Sequence, residues 1–198
     1  MNHYFIPLAG EAATGKDTAA LIISDELSRV DIVPLIISLS DPIKEAIEPI
    51  ATGDKEKDRP KWQDYGNSKR KENGSDYFAK FLVSTVNKKY YKSKPTVILI
   101  PDLRLPEEFE YFKTMYNSFF IKMEASDEIR EERMGTDKWK EYKEKSEKDS
   151  TEQGIKAIPI NEFDSVINND SNKIDILQYN LVRLIDDKLM EFISGGKI

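Results

Sequence analysis

The 198-residue chain contains no cysteine and one histidine, His3. Disulfides and thiolate metal sites are therefore excluded, and neither a histidine metal cluster nor a Ser-His-Asp triad can be assembled. Any chemistry must come from carboxylates, Lys, Arg and backbone amides. No segment approaches the roughly 18 consecutive apolar residues of a membrane span, and MNHYFIPLAG lacks the basic segment and long apolar run of a secretory signal. A soluble, cytoplasmic protein with no membrane partner is expected. The formal net charge of -6 argues against coating a polymeric nucleic acid but leaves room for a local basic cleft holding a small anion.

A hydrophobic content of 39% suffices for one domain, 1–198. Apolar runs at 3–9, 33–40, 96–102, 118–124 and 163–168 read as strands. Helical spacing marks 18–29, 41–50, 75–86, 105–116, 126–134 and 174–189 between and after them. Five strands alternating with helices predict an α/β fold: a three-layer α/β/α sandwich around a parallel five-stranded sheet. Ligands in such sheets bind at the carboxyl ends of the strands. Two highly charged stretches, GDKEKDRPK (53–61) and DKWKEYKEKSEKDSTE (137–152), are poor in apolar residues and read as solvated or mobile excursions.

The functional residues should accordingly follow the strands. GEAATGKDT (10–18) has Gly10, four residues, then Gly15 and Lys16, between a strand and a helix, as in a phosphate-binding loop. Its glycines let successive N–H groups turn inward around an anion, and Lys16 reaches the β and γ phosphates. Gly10, Ala13, Thr14, Gly15, Lys16, Asp17 and Thr18 are the candidate ATP contacts. Asp17 stands where the pattern supplies a magnesium-binding hydroxyl, so Asp17 and Thr18 are the candidate metal residues, with helix capping an alternative for Asp17.

After the most apolar strand comes PDLRLPEE (101–108). Asp102 is placed to orient a magnesium-bound water or take the acceptor's proton, and Arg104 to grip a phosphate, although a helix-capping loop would use the same residues. Lys44 begins the helix after the second strand, while Lys69 and Arg70 precede an aromatic helix. All three are acceptor contacts or members of a solvated face. Arg130 and Arg133, three apart on one helix face, either close over the transferring phosphoryl group with a flap or pair with Asp127 and Glu131. Trp62, Tyr65, Tyr77 and Phe78 are candidates for a base slot, with Phe78 and Phe81 more at home in a core.

GKD, SDPIKE, YGNSKRKENGSDYFAKFL, PDLRLPEEFEYFK, REERM, DSTEQGI and FDSVINN, in that order, resemble the P-loop kinases that include phage-type deoxynucleoside monophosphate kinases and animal-type phosphomevalonate kinases. The resemblance implies a nucleoside monophosphate kinase-like fold with an acceptor region at about 41–90 and a mobile lid at about 130–157. It places ATP at Gly10–Thr18, acceptor phosphate contacts at Lys44, Arg70 and Arg104, and lid arginines at Arg130 and Arg133. It further implies a lid anchor or acceptor contact at Thr151 and Glu152, and an asparagine near the adenine at Asn168, beside Asn169. Relatives often carry an arginine or aromatic residue where this chain has Leu105 and Pro106, a departure at the acceptor pocket. The activity so implied is magnesium-dependent transfer of the ATP γ phosphoryl group to a small phosphate monoester, a deoxynucleoside monophosphate before phosphomevalonate. A homodimer is left open by composition, and so is a regulatory protein that holds nucleotide without turnover.

Overall fold

The computed structural model describes residues 3–90, 96–146 and 150–195, with the side chains at 55, 56 and 150–152 outside that description. Strand β1 (Tyr4–Ala9) is buried along its whole length, and its side chains alternate between two cores. Ile6 and Leu8 face one apolar cluster, Phe5 and Ala9 the other. β3 (Val97–Leu103) does the same, with Leu99 on the first face and Ile98 and Ile100 on the second. Both strands are apolar at nearly every position because period-two alternation presents each face to a separate helix layer.

All strand pairings are parallel, in the order β2 (Leu35–Ile36), β3, β1, β5 (Ile121–Glu124), β6 (Ser165–Asn168). A further two-residue segment, β4 (Asn117–Ser118), pairs with Tyr4 and Phe5 ahead of β5, which pairs with Leu8 and Ala9. The expected fourth strand is thus two collinear pieces, giving six strands in five positions. β2 is far shorter than the predicted 33–40.

One layer contains α1 (Lys16–Ser28) and α9 (Ile174–Leu184), the latter running on through a π turn (Ile185–Leu189) into α10 (Met190–Ser194). The other contains α2 (Asp41–Ile47), α4 (Tyr77–Tyr90) and α5 (Pro106–Met115). The predicted three-layer α/β/α architecture is therefore present.

The charged stretches are not excursions. Residues 55–61 begin a long helix, α3 (Lys55–Asn73), and most of 137–152 lies in α7 (Thr136–Ser146) and α8 (Ser150–Ala157), which follow α6 (Asp127–Met134). Few apolar residues suffice because they are placed where they count: Trp62 and Tyr65 of α3 pack on the second core, and Trp139 of α7 is buried. Buried Asp58 fastens the start of α3, accepting the Thr52 N–H at 2.9 Å and the Gly53 N–H at 3.1 Å. Phe81, by contrast, is exposed rather than core.

Candidate active site at the phosphate loop

Pro7 cannot donate to a strand ladder, and the register of β1 against β3 slips between Pro7 and Ala9. The chain then enters the loop at Gly10, with φ +151°, and passes Ala13 at +62° and Gly15 at +94°. A Cβ on Gly10 would lie 2.4 Å from the Met123 carbonyl oxygen. Gly15 is the N-cap of α1, so the first N–H groups of that helix open toward the loop. The Lys16 ammonium folds back to donate to the carbonyls of Gly10 and Glu11, both at 2.8 Å. Buried Thr14 donates to the Glu11 carbonyl at 3.0 Å.

Asp17 and Thr18 are exposed in the first turn of α1, and no side-chain cap is formed there. The capping alternative for Asp17 is therefore not used. Among the described residues no cluster of three or more His, Cys, Asp or Glu side chains could by itself hold a metal. Two adjacent oxygen donors beside a phosphate loop do fit magnesium, which takes one or two protein ligands and completes its shell from phosphates and water.

Arg130 and Arg133 both reach the loop. Arg130, 2% exposed, donates through Nε to the Ala12 carbonyl at 2.9 Å and through Nη1 to the Glu11 carboxylate at 3.1 Å. Its guanidinium lies over the rings of Trp139 and Tyr142, and Nη2 donates to the Tyr142 hydroxyl at 2.8 Å. An intrahelical pair with Asp127 is also made, at 3.1 Å. Arg133 donates to the carbonyls of Ala13 at 3.0 Å and of Asn169 and Ser171 at 2.8 Å. Of the intrahelical alternative, the Asp127 pair is made by Arg130, while Arg133 donates to backbone carbonyls of the loop and of the segment after β6.

Of the two asparagines at the end of β6, Asn169 bonds to the loop itself. Buried Asn169 donates to the Thr14 carbonyl at 3.0 Å, while Asn168 accepts from the Asp170 N–H at 3.0 Å. Between the loop, the ends of β5 and β6, and α8 lies a cleft of about 310 Å³, lined by Gly10, Thr14, Lys156 and Asn168 among others. Lys156 pairs with Glu11 across its mouth at 3.2 Å. Glu11 is thus held by Arg130 and Lys156 together, a role that nothing in the loop pattern signals.

On the opposite flank, Asp102 at the end of β3 accepts from the Leu39 N–H at 2.7 Å, the Ser40 N–H at 3.0 Å and the Ser38 hydroxyl. Both carboxylate oxygens thus take part in shaping the loop before α2, a contact different from a cap on the helix that follows Asp102. Lys44 pairs with Asp41 at 3.1 Å and Lys69 with Glu72 at 3.2 Å, both near the surface. Arg70 stacks on Phe78 and faces buried Glu108 of α5, Nη2 to Oε1, at 3.5 Å. The Arg104 and Leu105 N–H groups donate to Glu108 Oε2, each at 3.2 Å. Burial pushes the Glu108 carboxyl up to about 7, against the opposing pull of Arg70. Glu108 was missed in the sequence because it looked like an ordinary first-turn helix acid. Gly154 of α8 packs against the Arg104 carbonyl, so α8 touches the loop after β3, while the Thr151 and Glu152 side chains lie outside the described residues.

No protein-family model matches the sequence, and no curated protein matches it. The fold, however, matches solved P-loop kinases. One is the APS kinase of Mycobacterium tuberculosis in complex with AMPPNP and APS, at a TM-score of 0.56 and 11% identity over 93% of this chain and 98% of that one. Another is the shikimate kinase of Acinetobacter baumannii in complex with shikimate, at 0.51 and 14% over 93% and 94%. The parallel α/β/α fold is thus one that P-loop kinases have. More particularly, it is shared with two kinases whose named ligands are small molecules.

Proposed function

We propose that this chain is an ATP- and magnesium-dependent kinase that phosphorylates a small phosphate monoester, a deoxynucleoside monophosphate in first place. The observation that carries the reading is the position of the Gly10–Lys16 loop, at the carboxyl edge of the sheet between one flank bearing Arg70 and Arg104 and another bearing Arg130 and Arg133. The APS kinase with AMPPNP shares the fold, which supports an ATP-type nucleotide at the loop.

An acceptor phosphate is already a nucleophile at neutral pH, so the protein has chiefly to align two anions and neutralise them. Lys16 would exchange the Gly10 and Glu11 carbonyls for donor phosphate oxygens. Arg70 and Arg104 would hold the acceptor, with Lys44 and Lys69 adding positive charge from the rim. Arg130 and Arg133 fix the loop from outside, and Trp139 and Tyr142 shield Arg130 from water. Asp17 and Thr18 would hold magnesium, which supplies charge neutralisation at the phosphates. Asn169 keeps the loop in register with the end of β6. Trp62, Tyr65 and Tyr77, half-buried around α3 and α4, offer aromatic surface of the kind a nucleobase needs, which favours a deoxynucleotide over phosphomevalonate.

Coupled ADP release with magnesium and ATP, measured against a panel of deoxynucleoside monophosphates, ribonucleotides and phosphomevalonate, tests the assignment. Acceptor-dependent ADP with at least one deoxynucleoside monophosphate is expected. Tight ATP binding with no acceptor-dependent ADP would instead make the chain a nucleotide-binding regulatory protein.

A further inference from the structure

The Arg70–Glu108 pair is unusual for a buried ion pair in being slack. Glu108 is 1% exposed, yet its Oε1 accepts no hydrogen bond, and Arg70 Nε donates none. The two groups face each other at 3.5 Å, longer than a charge-assisted hydrogen bond. Buried ions left this incompletely matched carry a desolvation cost that a better partner can relieve.

The guanidinium is otherwise confined. Phe78 lies over it, its centroid 5.0 Å from Cζ, and Gly66 leaves the space beside Nη1 that a side chain would occupy. One fifth of the Arg70 side chain remains exposed. An anion reaching that exposed fifth would meet the same guanidinium that Glu108 faces from inside.

We propose that Glu108 and the acceptor phosphate compete for the charge of Arg70, so that the acceptor binds with uptake of one proton by Glu108. This rests on the kinase reading for the acceptor's identity, but not for the proton. When Glu108 is ionised, it neutralises Arg70 and repels an incoming dianion. When it is protonated, Arg70 offers its full charge, and the carboxyl becomes a hydrogen-bond donor instead of a second anion. The proton comes from solvent and no covalent bond changes.

The charged groups acting on the carboxyl are Arg70 from α3, which favours ionisation, and Asp102 at the end of β3, which opposes it. Arg104 is the next charge along that loop, and Glu107 the next on α5 itself. Burial outweighs Arg70 and sets the carboxyl near 7, where a physiological change of pH alters its charge.

Sulfate serves as the probe, being a dianion that does not itself titrate near neutrality. With the phosphate loop saturated by AMPPNP and magnesium, sulfate is expected to bind the unaltered chain about tenfold more tightly at pH 6 than at pH 8. Glu108→Gln should make the affinity nearly independent of pH, and Arg70→Ala should weaken it at both. The same pH dependence in Glu108→Gln, affinity indifferent to Arg70→Ala, or no sulfate binding would each overturn the proposal. Calorimetry of the unaltered chain near pH 7, in two buffers of different ionisation enthalpy, reads the proton without any variant. Uptake of about half a proton, the share of Glu108 still ionised at that pH, supports the competition and none refutes it. With a turned-over acceptor, Glu108→Gln should flatten the pH dependence of KM. Absence of turnover with every acceptor would remove the kinase reading while the sulfate measurements still decide the fate of the proton.

Discussion

Gly10 and Asp17 sit in one loop and answer different questions. Gly10 is fixed by geometry: its φ lies in the region glycine favours, and a Cβ would meet the Met123 carbonyl oxygen at 2.4 Å and Thr14 Oγ1 at 2.8 Å. A backbone carbonyl cannot rotate aside, so β5 itself would have to move. Gly10→Ala is expected to destabilise the fold by about 1–3 kcal/mol, seen as a lower denaturation midpoint at unchanged slope. A midpoint equal to that of the parent would mean the loop relaxes without strain. Asp17 is free of such constraints, being exposed and without a capping bond. Asp17→Ser should leave stability within about 0.5 kcal/mol, so any change in activity reports chemistry and not folding. If the carboxylate merely replaces the hydroxyl as a magnesium ligand, turnover stays within about tenfold, a barrier change of about 1.4 kcal/mol. A larger loss with nucleotide affinity intact would assign the carboxylate a part in arranging the loop.

At the scale of elements, what could be read in advance follows from burial. β1 and β3 declared themselves because both faces are covered, and the glycine loop because its spacing is tied to backbone geometry. α3 and α7 did not, because their sequences are mostly solvated face. Each is anchored by one or two aromatics and by contacts such as Asp58 to the 52–53 backbone, which no periodicity reveals. The partners of Arg130 were hidden for another reason: Glu11 lies 119 positions away, and the outward carbonyls of Ala12 and Ala13 exist only once the loop has formed. Asp102 illustrates the converse, a residue placed at the strand end as expected whose carboxylate also shapes the neighbouring loop, a contact no spacing reveals. α5 supplies the element-scale prediction. A carboxyl raised by burial from 4.5 to about 7 favours the folded state fully below about pH 4.5, and that contribution is lost as pH rises through 7. The loss amounts to about 3 kcal/mol at 1.36 kcal/mol per pKa unit. Glu108→Gln keeps an acceptor for the Arg104 and Leu105 N–H groups and should remove this decline, making the variant the more stable protein at pH 8. Parallel stability–pH curves for the two proteins between pH 5 and 8 would show that Glu108 titrates normally.

For the molecule as a whole, the phosphate loop is tied to elements far apart in the chain. α6 holds it through Arg130 and Arg133, α8 through the Lys156 pair with Glu11, and the end of β6 through Asn169. Opening the loop therefore requires those contacts to be given up together, and a ligand bound there is coupled to global unfolding. No helix among the described residues is long and apolar enough to cross a membrane. The coupling can be read by heating the chain with and without ligand. A ligand at about 100 times its Kd stabilises a folded protein by about 2.7 kcal/mol. For a chain of this size that corresponds to a rise in Tm on the order of 5–10 °C. AMPPNP with magnesium should produce such a rise in the parent protein. Lys16→Ala gives up its bonds to the Gly10 and Glu11 carbonyls, and against its own unliganded Tm it should show little or no rise with nucleotide. A shift of equal size in Lys16→Ala would place the nucleotide away from the loop, and no shift in either protein would mean that the loop holds no nucleotide.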